Sequence, residues 1–176
     1  AGLCDAVIAG GSDMMCRTIY TGFISLLITD EAPCRPFDAT RKGLNLGEGA
    51  GVVLLESPQI AARRGAASLA RLVGYGNASD AYHLSAPAPD GAGLRRSIEQ
   101  ALAEAEIDAG EIGLINAHGT ATPDNDRVEG RLFAEMLPDV PFSSTKGCTG
   151  HTLGAAGGIE AVITVESLRR GVVPAC

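Results

Sequence analysis

Residues 143–157 read Ser143-Ser144-Thr145-Lys146-Gly147-Cys148-Thr149-Gly150-His151-Thr152-Leu153-Gly154-Ala155-Ala156-Gly157. The stretch joins three readable parts. Phe142 to Ser144 is a short strand. A glycine-punctuated turn then carries a lysine and a histidine. Leu153 to Leu168 follows as a long helix of small residues, expected to be buried. Strand, polar turn and helix in that order make one unit of an α/β fold. Arg169, Arg170 and Gly171 close the helix, the two cations suiting its C-terminal dipole. Val172 and Val173 then predict a further strand.

The same order repeats upstream. Ile112 to Ala117 is a strand, followed by His118-Gly119-Thr120-Ala121-Thr122 and a helix over Asp124–Met136 with Pro123 in its first turn. Leu94 to Glu106 places Leu94, Ile98, Ala101, Leu102 and Ala105 at helical spacing. Asn77 to Gly93 is a proline- and glycine-rich loop, and Ser68 to Gly76 alternates as a strand does. Gly49 to Glu56 predicts a buried strand, and Gln59 to Arg64 a short helix stopped by Gly65. Asp30 to Asn45 predicts a long ordered loop. Met14 to Ile28 reads as helical and Ala6 to Gly11 as a short buried strand. The alternation of strands and helices makes the class α/β.

Composition narrows the function. Of 176 residues, 45% are hydrophobic and 20% charged, as in an ordinary globular domain with a core. Aromatics are 4% and tryptophan is absent, so small residues fill the interior. The net charge of −7 argues against nonspecific nucleic-acid binding. The five cysteines, Cys4, Cys16, Cys34, Cys148 and Cys176, form no CxxC pair. Neither a zinc site nor a redox dithiol is signalled; free thiols in a reducing cytoplasm are expected. Apolar runs are strand-length, and neither a membrane span nor a signal peptide is expected. Both chain ends, Ala1-Gly2-Leu3 and Val173-Pro174-Ala175-Cys176, read as cut from something longer.

Of the three histidines, His118 and His151 stand at glycine-rich strand-to-helix junctions, with Lys146 at one of them. In open α/β sheets, ligands gather at the carboxyl ends of strands. One histidine at a strand end is usually structural; two with a lysine point to a site. Gly47-Glu48-Gly49-Ala50-Gly51 leads into a strand instead of opening a helix, so it is not a dinucleotide fingerprint. Cys148, beside Lys146 and His151, is read as a small buried packing residue and not as a nucleophile. Arg63-Arg64, Arg95-Arg96 and Arg169-Arg170 read as solvated faces.

His118-Gly119-Thr120-Ala121-Thr122-Pro123 resembles the HGTxT motif of β-ketoacyl synthases. Lys146 through Gly157 resembles their Lys-GHxxGAAG motif. Arg35-Pro36-Phe37-Asp38 with Gly47–Gly51 resembles their RPFD…GEGAG segment. Asp80-Ala81-Tyr82-His83 through Ala86-Pro87 and Asp90-Gly91 resembles their DAYH loop, and Ala9-Gly10-Gly11 their AGG. The resemblance implies a thiolase-like, layered α/β fold made of two related halves. Residues 1–30 would end the first half, and residues 31–176 would form most of the second.

It also implies a decarboxylative Claisen condensation of malonyl-acyl carrier protein with an acyl thioester, in fatty acid or polyketide synthesis. His118 and His151 would donate hydrogen bonds to the thioester oxygen. Lys146 would act electrostatically, linked to Glu160, and Thr120 and Thr122 would bond the pantetheine arm. His83 would be structural or gating. No resident cofactor or metal is implied; the substrates ride on the phosphopantetheine of acyl carrier protein. The full-length protein would be a homodimer or heterodimer.

The family's nucleophile sits in a TACxS-type elbow upstream of AGG, and none of the five cysteines has that context. The chain by itself is therefore expected to be inactive. A thiolase, a non-catalytic chain-length factor and a ketosynthase domain of a polyketide synthase are the competing readings. The HGTxT motif and the two-histidine set argue against the thiolase. The presence of His118, Lys146 and His151 argues against the chain-length factor.

Overall fold

The computed structural model describes residues 4–174. Ala1 to Leu3, Ala175 and Cys176 lie outside the described residues, and with them the readings of both chain ends and of Cys176.

Strands β1 (Ala6–Asp13) and β2 (Gly49–Glu56) form an antiparallel ribbon, from Ala6 opposite Glu56 to Asp13 opposite Gly49. Helix α1 (Arg17–Ser25) lies between them in sequence, and α2 (Pro58–Arg63) follows β2, capped by the Ser57 hydroxyl. Strands β3 (Ile115–Asn116) and β4 (Phe142–Ser143) pair in parallel, joined by helix α4 (Pro123–Met136). A parallel pair needs such a crossover. Helix α3 (Ala92–Ala105) precedes β3; the one-turn α5 (Lys146–Thr149) and the long α6 (Ala156–Arg170) follow β4.

Helix α4 shows why this part folds. Pro123 begins it, and Asp124 and Asp126 lie in the first turn, where negative charge suits the dipole. Val128, Leu132 and Phe133 make its buried stripe. Phe142 of β4 packs against Phe37 edge-to-face at 4.9 Å and against Phe133 at 5.4 Å.

Several expectations are corrected. β1 and β2 are not buried strands. α6 and the turn before it cover only the face that presents Gly11 and Gly51, and Ile8, Val52 and Leu54 on the other face are 75%, 57% and 55% exposed. For the same reason α6 is covered along one side only: Leu168 is exposed, and Leu153–Ala155 forms a separate 3-10 turn. Ser68–Gly76 is not a strand among the described residues. It runs beside α3, where the Tyr75 and Asn77 amides donate to the Glu104 and Gln100 side chains at 2.8 and 3.0 Å. Val172 and Val173 likewise have no strand partner; the Val172 amide turns back onto Ser167 O at 3.2 Å. The helix expected from Met14 begins only at Arg17, because β1 continues to Asp13.

The segment Asp30–Asn45 is an ordered loop, as expected. Its end bridges two neighbours, with Leu44 pairing Thr29 and Leu46 pairing His151, both in parallel.

Candidate active site

His118 leaves β3 at the start of a loop held by one carboxylate. Glu129, buried on α4, accepts the amides of His118 at 3.0 Å and Gly119 at 2.7 Å, and the Asn125 side chain at 2.7 Å. Burial pushes the Glu129 carboxyl up; the donors facing it work against that rise. Gly119 has φ of 43°, and a Cβ there would stand 2.4 Å from the Ser144 Cβ, so glycine alone fits. The next acid along α4, Asp126, accepts the amides of Phe37 at 2.7 Å and Ala121 at 3.1 Å. It thereby ties the RPFD segment to the loop after His118.

Lys146 begins α5 and is 1% exposed. A buried ammonium requires partners. Its Nζ donates to the His118 carbonyl at 2.6 Å and pairs with Glu160 of α6. It also stands 3.4 Å from His118 Nδ1. An ammonium can only donate, so His118 Nδ1 accepts and the ring hydrogen lies on Nε2.

His151 is held from both sides of its backbone. Its amide donates to Asn45 O at 2.7 Å, and its carbonyl accepts from Gly47 N at 3.1 Å. Its Nδ1 accepts the Leu153 amide at 3.2 Å, which again leaves the hydrogen on Nε2. The two imidazoles meet edge-to-face, with centroids 5.1 Å apart.

Both histidines are pushed down to about 4 from the usual 6.5, chiefly by burial and next by the Lys146 charge. His151 adds to the effect on His118. Near neutral pH both rings are therefore uncharged donors at Nε2. Two such donors beside a buried cation suit an oxygen on which negative charge develops.

The remaining expected residues fall as follows. Glu160 joins Lys146 directly. The Thr120 and Thr122 hydroxyls bond each other at 2.7 Å. His83 lies apart on an exposed loop, where its Nδ1 accepts the Ser85 amide at 3.2 Å. Cys148 is exposed, which corrects its reading as a buried packing residue; Cys34 is the buried thiol. Gly47 of the GEGAG stretch packs on the backbone of the lysine–histidine turn, where a Cβ would lie 2.1 Å from Thr149 O.

Sequence reasoning missed Glu129, Asp126 and Asn45. The two acids sit three apart on α4, and that spacing on one helix face was the available signal. Among the described residues no group of three His, Cys, Asp or Glu side chains is placed to hold a metal ion. No helix there is long and apolar enough to cross a membrane.

The sequence and the fold have counterparts among known proteins. The family model described as "Beta-ketoacyl synthase, N-terminal domain" matches residues 1–61, and "Beta-ketoacyl synthase, C-terminal domain" matches residues 69–176. A "3-oxoacyl-[acyl-carrier-protein] synthase 2" of Synechocystis sp. is 41% identical over 184 residues, which cover 98% of this chain and 44% of that protein. The solved structure "The ishigamide ketosynthase/chain length factor" superposes with a TM-score of 0.92 at 35% identity, covering 98% of this chain and 43% of its own. A type II PKS acyl-carrier protein in complex with its ketosynthase bound to the hexaketide gives a TM-score of 0.91 at 33% identity, covering 98% and 45%. The chain thus spans under half the length of these relatives. With both domain models matched in order and the ketosynthase fold reproduced, this chain belongs to the β-ketoacyl synthase family.

Proposed function

We propose that these residues form the decarboxylating side of a condensing site, in a 3-oxoacyl-acyl carrier protein synthase of fatty acid or polyketide synthesis. The observation that carries the reading is the pair of neutral imidazoles, 5.1 Å apart, each with its hydrogen on Nε2. When a malonyl thioester loses carbon dioxide, the electron pair of the broken C–C bond passes into an enolate whose charge sits on the thioester oxygen. Nε2–H of His118 and of His151 stabilise that oxygen. Removing one such donor costs about 3 kcal/mol of transition-state stabilisation. The enolate carbon then attacks an acyl thioester carbonyl, and the cysteine thiolate that carried the acyl group leaves.

We place that cysteine outside residues 1–176, since none of the cysteines here stands in an elbow context. Lys146, bonded to Glu160, adds to burial in keeping both rings unprotonated and holds the His118 carbonyl. Thr120 and Thr122 are assigned to the pantetheine arm and His83 to the surface loop. The partner is an acyl carrier protein, as in the ketosynthase complex above, and the reaction needs no resident cofactor or metal. Dimerisation, with a second copy or a chain-length factor, and a cytoplasmic site are part of the same reading. The two related halves belong to the same reading, with residues 62–68, between the stretches that the two domain models match, proposed as their join.

The test is decarboxylation of malonyl-acyl carrier protein by the intact synthase. His118→Ala and His151→Ala should each cut it by about 100-fold or more, with acyl loading on the cysteine retained. Normal decarboxylation in both variants would sink the assignment.

A further inference from the structure

Two side chains outside the His118, Lys146 and His151 set hold both ends of the turn that carries Lys146 and His151. The Asn45 carboxamide is fully engaged. Its Oδ1 accepts the Cys34 amide at 2.6 Å, and its Nδ2 donates to Asp30 O at 2.9 Å and Ala32 O at 3.1 Å. The backbone carbonyl of Asn45 accepts the His151 amide at 2.7 Å. Cys34, 4% exposed, donates its thiol hydrogen to Lys146 O at 3.1 Å. That carbonyl also accepts the Gly150 amide at 2.9 Å, the bond that closes α5. The chain of contacts therefore runs His151, Asn45, Cys34, Lys146 and back through the turn 146–151.

We infer that Asn45 and Cys34 are positioning residues: through this closed ring of hydrogen bonds they fix Lys146 and His151 relative to each other. Neither touches the reacting atoms. The effect matters because both ends of the turn carry chemistry, and a shift of about 1 Å in a positioned donor costs on the order of 100-fold in rate. Packing alone does not account for the pair. Asn45 spends every donor it has on loop carbonyls, and the Cys34 thiol is aimed at a carbonyl, not at an apolar neighbour.

The inference rests on the donor role proposed for His151, and the experiment separates the two. In the intact synthase, Cys34→Ala and Asn45→Ala should lower kcat for malonyl decarboxylation about 10-fold or more, with KM changed less than about twofold. Cys34→Ser, which keeps a donor, should recover most of the loss. A purely packing role gives the reverse order, with serine no better than alanine, and overturns the inference.

The second readout does not depend on activity. His151 should titrate near 4 in the unaltered protein. In Cys34→Ala and Asn45→Ala its ring signal in NMR should titrate closer to 6.5, as water enters a loosened turn beside Lys146 and His118. An unchanged His151 titration together with unchanged kcat would overturn the brace. If the unaltered synthase fails to decarboxylate malonyl thioesters, the donor reading falls and the titration alone decides the brace. Asn45→Asp, which keeps the acceptor and loses both donors, replaces Asn45→Ala if that variant does not fold.

Discussion

Gly51 and Gly158 meet backbone to backbone. A Cβ on Gly51 would stand 2.2 Å from the Gly158 carbonyl carbon, and a Cβ on Gly158 would stand 2.2 Å from Gly51 O. The contact seats α6 on the β1–β2 ribbon, and α6 carries Glu160, the partner of Lys146. A closeness needed for packing therefore also sets the height of a charged group in the site.

Gly51→Ala and Gly158→Ala should each destabilise the protein, by about 1–3 kcal/mol or more, because the ribbon and helix must move apart. Gly157, the residue before Gly158 on α6, is the control. A Cβ there meets nothing within 4 Å, so Gly157→Ala should stabilise by about 0.5–1 kcal/mol through helix propensity. Urea unfolding of the three variants decides the point; equal effects at 157 and 158 would contradict the packing argument.

The sequence makes some of this legible and hides the rest for identifiable reasons. Pro123 marked the start of α4 to within a residue, because helix-start signals are local. The glycine-rich junctions marked His118, Lys146 and His151 for the same reason. Burial of β1 and β2 was not legible: an apolar strand looks the same whether one face is covered or two. Ser68–Gly76 alternates as a strand does, yet a strand exists only if a partner lies beside it. The turn Lys146–Thr149 is too short to show a helical period.

Glu129 is one of four acids on α4, and only its spacing from Asp126 marks it in the sequence. Its role depends on where the His118 loop arrives, and sequence spacing does not report that. In Glu129→Gln only one terminal atom can accept, so the amide group must face the His118 or the Gly119 amide. That buried donor should go unsatisfied, at a cost of about 1–3 kcal/mol. Chemical denaturation measures the loss. A variant as stable as the original would show that the two amides find other acceptors.

Stability should also fall on acidification before ordinary carboxylates titrate. His118 and His151 have folded-state values near 4, below the unfolded value of 6.5. Between these values the unfolded chain binds more protons than the folded one, so unfolding free energy rises with pH. The contribution is complete above 6.5 and is lost as pH drops toward 4. Glu129, raised by burial, acts in the opposite sense: its folded state holds a proton to higher pH. Comparing the protein with its His118→Asn, His151→Asn double variant at pH 7, 6 and 5 isolates the histidine part. Parallel pH dependences would mean that the rings titrate normally.

The Lys146 charge is the one cause of the low histidine values, burial apart, that acts on both rings. Lys146→Met keeps the length of the stem and removes the charge. It also leaves Glu160, which pairs with the same Nζ that faces His118, without its cation, and an uncompensated carboxylate favours an imidazolium. Both consequences push in the same direction, so His118 and His151 should titrate closer to 6.5 in this variant. Near neutral pH a fraction of each ring would then be protonated, and His118 Nδ1 would lose its donor. Decarboxylation in the intact synthase should slow, and the slowing should deepen as pH falls from 7 to 6, where the unaltered protein is flat. Ring titration by NMR and the pH–rate profile test this together. Histidines that still titrate near 4 without Lys146 would assign their shift to burial, with His151 adding to it at His118, and leave the lysine a structural tether for the His118 carbonyl.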